Sequence, residues 1–224
     1  MKGGIFLSQF VYPASCIGCG RWFSFDADAW WSNACEQQRF VSSAAMRTIN
    51  DATIFSAHRY SCEPVSRAIH QIKYGCVHVA VSVCARWLVE QLKQIEQQFS
   101  GSKLLLVPVP LHPRREATRG FNQSFLLAQQ LQMVYSQCDV DATLLRRITH
   151  TLPQAQLHAD KRATQLLTAF TTLKQPRADA TYILIDDVVT TGSTLAACIT
   201  TMRAVGATRI AGLTIATTAV APNV

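Results

Sequence analysis

The segment that most constrains the fold runs from residue 182 to residue 194 and reads YILIDDVVTTGST. Its first four residues form an apolar run with two isoleucines, which is typical of a buried strand. Asp186 and Asp187 are predicted to end this strand, and the small residues 190–194 are predicted to form a turn. Apolar residues at helical spacing follow, at Leu195, Ile199 and Met202. The segment therefore predicts a strand, a turn and a helix N-terminus in direct succession.

This junction has the chemistry of a site for a phosphorylated sugar. The first N–H groups of a helix lack partners and attract an anion, and Gly192 allows close backbone approach. Asp186 and Asp187 would repel a phosphate, so we expect them to face neutral hydroxyls or a divalent cation. A ribose 5-phosphate satisfies both requirements. The predicted phosphate-binding residues are Thr190, Thr191, Gly192, Ser193 and Thr194.

A simpler interpretation is that the same residues only cap a helix. Capping uses one side chain, at about 1 kcal/mol, and does not require two acids followed by five small residues. We therefore favour the binding site.

Composition limits the class of protein. With 224 residues, 49% of them hydrophobic, the chain can form one substantial core and a small accessory module. The formal net charge of +7 favours anionic partners, either nucleotides or nucleic acid. No apolar run approaches the roughly 20 residues of a membrane span, and the N-terminus is a poor signal peptide. We therefore expect a cytoplasmic protein.

The spacing of the N-terminal cysteines predicts a zinc module. Cys16 and Cys19 have the C-x-x-C spacing of a zinc knuckle, but Ser32 stands where a second such pair would begin. Cys16, Cys19 and Cys35 would supply three ligands, and the fourth would be Cys62 or, as an alternative, His58. The other interpretation is a metal-free module whose cysteines pack as small hydrophobic residues. The predicted zinc ligands are Cys16, Cys19, Cys35 and Cys62.

Strand and helix patterns alternate along the rest of the chain. The alternation predicts an α/β domain with a mainly parallel sheet and a ligand at the carboxyl ends of the strands. The predicted strands cover residues 52–60, 104–109, 142–148, 182–185 and 207–217, and the predicted helices cover residues 63–75, 77–99 and 125–134.

A second anion site is predicted directly after the strand at 104–109. Pro108 and Pro110 are expected to end that strand and begin a loop, because proline cannot donate to a sheet ladder. Three guanidinium groups and a helix N-terminus then follow within a short stretch, which suits pyrophosphate. The alternative is a solvated basic face. The arginines are Arg114, Arg115 and Arg119, and Lys73, beside a glycine, is also placed to reach an anion.

The polar segment at residues 149–162 contains a proline and separates two strand-like runs. A long loop inside a compact domain is usually functional. We expect it to close over the ligand, with Lys161 or Arg162 neutralising pyrophosphate. The alternative is an ordinary surface loop with one helical turn.

Four sequence blocks together resemble the ComF family, also called GntX-like. They are KYG at 73–75, VPVPLHPRREATRGFNQS at 107–124, the segment 151–162 with Gln154 and Arg162, and ILIDDVVTTGST at 183–194. The last block also resembles the signature of type I phosphoribosyltransferases, which bind phosphoribosyl pyrophosphate (PRPP).

The resemblance implies two domains: a zinc-ribbon-like module at 1–50 and a domain with the type I phosphoribosyltransferase fold at 51–224. It implies PRPP and Mg²⁺ binding and transfer of the phosphoribosyl group to an unknown acceptor, with Asp186 and Asp187 holding the ribose hydroxyls. Family members are associated with DNA uptake, so single-stranded DNA and proteins of the competence machinery are implied partners. The alternative is a non-catalytic PRPP sensor or DNA-binding protein.

Overall fold

The computed structural model describes residue 16 and residues 44–74, 77–148 and 169–218, except the side chains of 77–79. The strands are β1 (Ala45–Ile49), β2 (Ala52–Arg59), β3 (Lys103–Pro108), β4 (Cys138–Val140), β5 (Leu145–Arg147), β6 (Phe170–Thr172), β7 (Ala180–Val189) and β8 (Ile210–Thr217). The helices are α1 (Glu63–Tyr74), α2 (Val77–Gln98), α3 (Pro113–Arg119), α4 (Gln123–Val134) and α5 (Ser193–Ala204).

The main sheet has six strands in the order β1-β2-β8-β7-β3-β4. Every neighbouring pair is parallel except β1 and β2, which are antiparallel. Strands β5 and β6 form a separate antiparallel pair. The prediction of an α/β fold with a mainly parallel sheet is therefore confirmed.

Hydrophobic clusters cover both faces of the sheet. Helices α1, α2 and α4 pack on one face, where Ile183 and Ile185 of β7 are buried. Helix α5 and the β5–β6 pair pack on the other face, with Tyr182 and Leu184. Because β7 is covered on both sides, its sequence is a continuous apolar run rather than an alternating pattern.

Strand β7 is longer than predicted. It does not end at the two acids but continues to Val189, with Asp186 opposite Thr214 and Val189 opposite Thr217. The backbone of β8 extends just as far, so the ladder continues regardless of side-chain polarity. The acids therefore lie within the last part of a paired strand.

The prediction that prolines end β3 is confirmed, although one further bond to β7 follows the strand. Pro108 is the last residue of the strand, and the Val109 N–H still donates to the Ile185 carbonyl at 2.9 Å. In a parallel ladder, the backbone groups of successive residues point alternately to the two neighbouring strands. The Val109 N–H points to β7, so the backbone nitrogen of Pro108 points to the β4 side. The β3–β4 pairing ends at Leu106, so the missing N–H costs no ladder bond.

The predicted loop after β3 contains a helix, α3. His112 caps it by accepting the Arg114 N–H on Nδ1 at 3.1 Å, and Pro113 occupies the first helical position. Gly120, with φ of 82°, closes the helix through its N–H bond to Glu116. Proline at the start and glycine at the exit are helix signals that the sequence contains.

The strand predicted at 142–148 is shorter and belongs elsewhere. Only Leu145–Arg147 is extended, and it pairs with β6 rather than with the main sheet. The edge strand beside β3 is instead β4, which the sequence prediction missed because it has only three residues.

The predicted domain boundary at residue 51 falls in the turn between β1 and β2. Strand β1 precedes this boundary, yet it pairs with β2 and is part of the main sheet. Apart from Cys16, residues 1–43 lie outside the described residues, so the N-terminal module stays a prediction. In the part of the chain that is described, no helix combines the length and apolarity needed to cross a bilayer.

Candidate functional site

The two acids of β7 have different surroundings. Asp187 is 5% exposed, and its Oδ2 atom lies 2.9 Å from the Nζ atom of Lys73, at the end of α1. No described residue donates an aligned hydrogen bond to that oxygen, and the charge of Lys73 stabilises it. Asp186 makes no ion pair with a described residue; its Oδ1 atom accepts the Asp187 N–H at 2.9 Å and the Ser124 hydroxyl at 3.3 Å. Asp187 is thus paired with a cation of the protein, whereas Asp186 is the more available acid.

The charge of Asp186 is destabilised. Burial, and secondly the negative charge of Asp187, raise the pKa of Asp186 to about 7, while the Asp187 N–H, Lys73 and the Ser124 hydroxyl oppose this rise. The Oδ2 atom of Asp186 makes no hydrogen bond to the described residues. A partly buried acid with a raised pKa and a free oxygen is typical of functional sites. A hydroxyl donor or a cation at Oδ2 would stabilise the carboxylate.

A basic pocket adjoins the acids. Its volume is about 710 Å³, and the described residues that line it include four cations and no acid. Helix α3 supplies three of these cations, and Lys73 lines the pocket while it also contacts Asp187. Lys73 therefore connects the acid pair to the basic pocket. The lining residues are Lys73, Tyr74, Arg114, Arg115, Thr118, Arg119 and Phe121.

Arg119 is held in place inside this basic pocket. Its Nη1 atom donates to the Gln123 Oε1 atom at 2.5 Å, and its guanidinium lies 5.6 Å from the ring centroid of Tyr74. The Tyr74 side chain is itself 71% exposed. An open aromatic ring beside several cations suits a ligand that has both negative charge and a flat apolar part.

The residues after α3 connect the basic pocket to the acids. Asn122 caps α4 by accepting the Ser124 N–H at 3.0 Å, and its Nδ2 atom donates to the Val109 carbonyl at 3.1 Å. The buried Ser124 then donates its hydroxyl to Asp186. The sequence identified this block as anion-binding but did not identify Ser124 as a partner of the acid.

The predicted turn after β7 is present and leads into α5. Gly192 precedes the helix with φ of 85°, and its carbonyl accepts the Ala196 N–H at 2.8 Å. Thr190 and Thr191 are exposed, whereas Ser193 and Thr194 lie in the first turn of α5, where backbone N–H groups have no helical partner. The geometry of an anion-binding turn is therefore available.

Two further cations lie near this site and were missed from the sequence. Arg47 of β1 donates to the carbonyls of Thr190 and Thr191 at 2.9 and 3.1 Å. The guanidinium of Arg147 on β5 lies 5.4 Å from the ring centroid of Phe170, and burial followed by the charge of Arg115 lowers the pKa of Arg147. Neither residue belongs to a recognisable motif, so no local signal indicates them.

Other predicted ligands lie outside the described residues. Lys161 and Arg162 do so, as do Cys19 and Cys35. Among the residues that are described, no group of three or more histidines, cysteines or acids is arranged to hold a metal. Cys16 is buried and Cys62 is half-buried. The zinc module and the closing loop therefore stay predictions.

Comparison with known proteins agrees with the motifs. No protein-family model matches the chain. Over 135 residues, it is 36% identical to the DNA utilization protein YhgH of Salmonella typhimurium and 37% identical to that of Escherichia coli, an alignment that covers 59% of this chain and 58% of each relative. Over 93 residues, it is 39% identical to Competence protein F of Haemophilus influenzae, covering 40% of each chain. The matched regions thus span less than two thirds of these relatives. These similarities agree with the resemblance to the ComF/GntX-like family that the four sequence blocks indicate.

Proposed function

We propose that this chain binds PRPP with Mg²⁺ and transfers the phosphoribosyl group to an acceptor, releasing pyrophosphate, in a process of DNA uptake or utilization. The observation that carries the proposal is the position of Lys73, whose Nζ atom is 2.9 Å from Asp187 and which also lines the basic pocket. It joins an acid pair and a cationic pocket into one site. PRPP has the complementary pattern, a neutral diol between a 5-phosphate and a pyrophosphate.

Each part of PRPP has a matching group. The free Oδ2 atom of Asp186 suits a ribose hydroxyl, which donates a hydrogen bond to a carboxylate. The first turn of α5, from Ser193, suits the 5-phosphate. The arginines of α3 suit pyrophosphate, whose negative charge grows as it leaves. In the transfer step, the bond between C1 of the ribose and pyrophosphate breaks, the electron pair leaves with pyrophosphate, and the acceptor bonds to C1.

The chemistry of the acids is compatible with Mg²⁺. This ion usually keeps several waters and binds one or two carboxylates together with phosphate oxygens of the ligand. Asp186, with one carboxylate oxygen open, fits that mode, and a closed cage of protein ligands is not required. When bound, Mg²⁺ would neutralise phosphate charge. The fold we propose is that of type I phosphoribosyltransferases, in which the ligand lies at the carboxyl ends of parallel strands.

Titration calorimetry with PRPP and Mg²⁺ tests the binding step. We expect Asp186→Asn combined with Asp187→Asn to weaken PRPP binding by about tenfold or more, because the charge-assisted contact of Asp186 to the ribose and the ion pair that positions Lys73 are both lost. The matched control is Asp139→Asn combined with Asp179→Asn, which also removes two acids, but from exposed ion pairs with Lys103 and Arg177. Equal affinity of the site variant and the wild type would overturn the proposed site.

Catalysis needs a separate test. Release of pyrophosphate on mixing the protein with PRPP, Mg²⁺ and a series of candidate acceptors would show a transferase. Binding of PRPP without release in any mixture would leave a PRPP sensor, the non-catalytic form of the proposal.

A second candidate function is single-stranded DNA binding, with or without proteins of the competence machinery. It is favoured by the 71% exposed ring of Tyr74 beside the cations of the basic pocket, because single strands bind through phosphate contacts and base stacking. The names of the relatives point in the same direction. We expect log affinity for oligo(dT) to fall linearly with log salt concentration. Tyr74→Ala should weaken binding, and Met133→Ala, which removes another exposed apolar side chain, should not. A flat salt dependence would exclude this function.

A further inference from the structure

We infer that Arg47 is a positioning residue that orients the peptide groups of the phosphate loop, defined here as residues 190–192. The inference rests on the proposed function. Arg47 lies on β1, one of the two edge strands of the main sheet, and is far from the loop in sequence. Its Nη1 atom donates to the Thr190 carbonyl at 2.9 Å, and its Nη2 atom donates to the Thr191 carbonyl at 3.1 Å.

These two bonds determine where the neighbouring N–H groups point. In a trans peptide, the C=O and the following N–H are directed to opposite sides. The structure contains no cis peptide among its described residues. Because the carbonyls of Thr190 and Thr191 face Arg47, the N–H groups of Thr191 and Gly192 are directed away from β1. Neither N–H donates to another described residue. They are therefore free to bind an anion together with the first turn of α5.

Arg47 also changes the strength of these donors. A carbonyl that accepts a bond from a cation is polarised, and the N–H of the same peptide becomes a stronger donor. A guanidinium can hold two carbonyls at once in a fixed geometry, which a lysine ammonium cannot reproduce. Both effects act on the ligand through the backbone, so Arg47 is a positioning residue rather than a catalytic one.

The hairpin that contains Arg47 is itself fixed against α5. A Cβ atom placed on Gly192 would overlap the Cδ1 atom of Ile49, so the two residues are in close contact. Asn50 donates from Nδ2 to the Thr200 hydroxyl at 3.0 Å, and Asp51 lies 3.4 Å from Arg203. Because these contacts do not involve Arg47, the hairpin is expected to stay in place when Arg47 is replaced.

Binding of two anions separates this role from a general structural one. Ribose 5-phosphate tests the phosphate loop, and inorganic pyrophosphate tests the basic pocket; calorimetry measures both. We expect Arg47→Met to weaken ribose 5-phosphate binding by about tenfold or more and to change pyrophosphate binding by less than about twofold. Arg47→Lys should give an intermediate loss. The control is Arg203→Met, which removes a cation that contacts the same hairpin but not the loop carbonyls.

The outcomes distinguish the two levels of the argument. A wild-type protein that binds neither anion would overturn the proposed function and this inference with it. If the wild type binds both and Arg47→Met binds ribose 5-phosphate equally well, the inference is wrong and the proposed function stands. If Arg47→Met weakens the binding of both anions equally, a specific role of Arg47 in the phosphate loop is refuted. The same holds if Arg203→Met weakens ribose 5-phosphate binding as much as Arg47→Met does.

Discussion

Replacing Asp186 with asparagine should stabilise the protein at neutral pH. Burial and the charge of Asp187 raise the pKa of Asp186 above its value in the unfolded chain. Between these two pKa values, the folded state binds more protons than the unfolded state. The contribution of Asp186 to the free energy of unfolding is therefore greatest at acidic pH and is lost as the pH rises towards the folded-state pKa. Asparagine is neutral throughout, and its Oδ1 atom can still accept the bonds from Asp187 and Ser124.

The size of the effect follows from the pKa. The pKa of Asp186 rises from 3.8 to about 7, and one pKa unit corresponds to about 1.4 kcal/mol, so the upper bound is about 4 kcal/mol. Asp186 is only partly buried, and relaxation of nearby polar groups reduces this value. We therefore expect Asp186→Asn to raise the free energy of unfolding by about 1–3 kcal/mol at pH 8 and to leave it nearly unchanged at pH 4.

Urea unfolding followed by far-ultraviolet circular dichroism, at several pH values and without Mg²⁺, measures this difference. The matched control is Asp139→Asn. Asp139 is exposed and the hydrogen bond and charge of Lys103 lower its pKa, so its replacement should give no stabilisation at pH 8. A gain for Asp186→Asn that is the same at pH 4 and pH 8, or a loss at pH 8, would refute the reasoning.

Three further predictions concern packing, charge and thiol reactivity. Gly192→Ala should cost about 2–4 kcal/mol of unfolding free energy, because φ is 85° and the new Cβ would overlap Ile49; adding Ile49→Ala should recover part of this loss in urea unfolding, and no recovery would contradict the steric explanation. Lys73→Met should cost about 1–3 kcal/mol, because it leaves the buried Asp187 without its cation; the double variant with Asp187→Asn should cost less than the sum of the single variants, and an additive result would count against the ion pair. Cys84 and Cys198 are fully buried, and burial raises the pKa of both thiols; the charge of Asp187 adds to this rise at Cys84, and that of Asp186 at Cys198. Cys84→Ala and Cys198→Ala should therefore not reduce the number of thiols titrated in the native protein at pH 8. A lower number would show that these thiols are accessible.

Local sequence signals predicted much of this molecule. The apolar run of β7, the helical patterns of α1, α2 and α4, and the turn at Gly192 depend on residues close together in the chain. The exceptions are also explained locally. The proline-rich sequence after β3 predicts a loop where helix α3 forms, although Pro113 and Gly120 mark the ends of that helix. Strand β4 is too short to show a pattern. The candidate site residues in the motifs could be named for the same reason, since each motif combines its chemistry within a few positions.

Tertiary structure alone decided which distant groups meet. The sequence by itself determined that acids follow an apolar strand and that arginines precede a helix. It did not determine that Lys73 pairs with Asp187 and leaves Asp186 open, or that Arg47 reaches the carbonyls of the phosphate loop. Those contacts depend on the strand order, which brings the carboxyl ends of β7 and β3 together and places the β1–β2 hairpin against α5. Strand order is set by the burial of whole faces in one core, and no local pattern of residues encodes it.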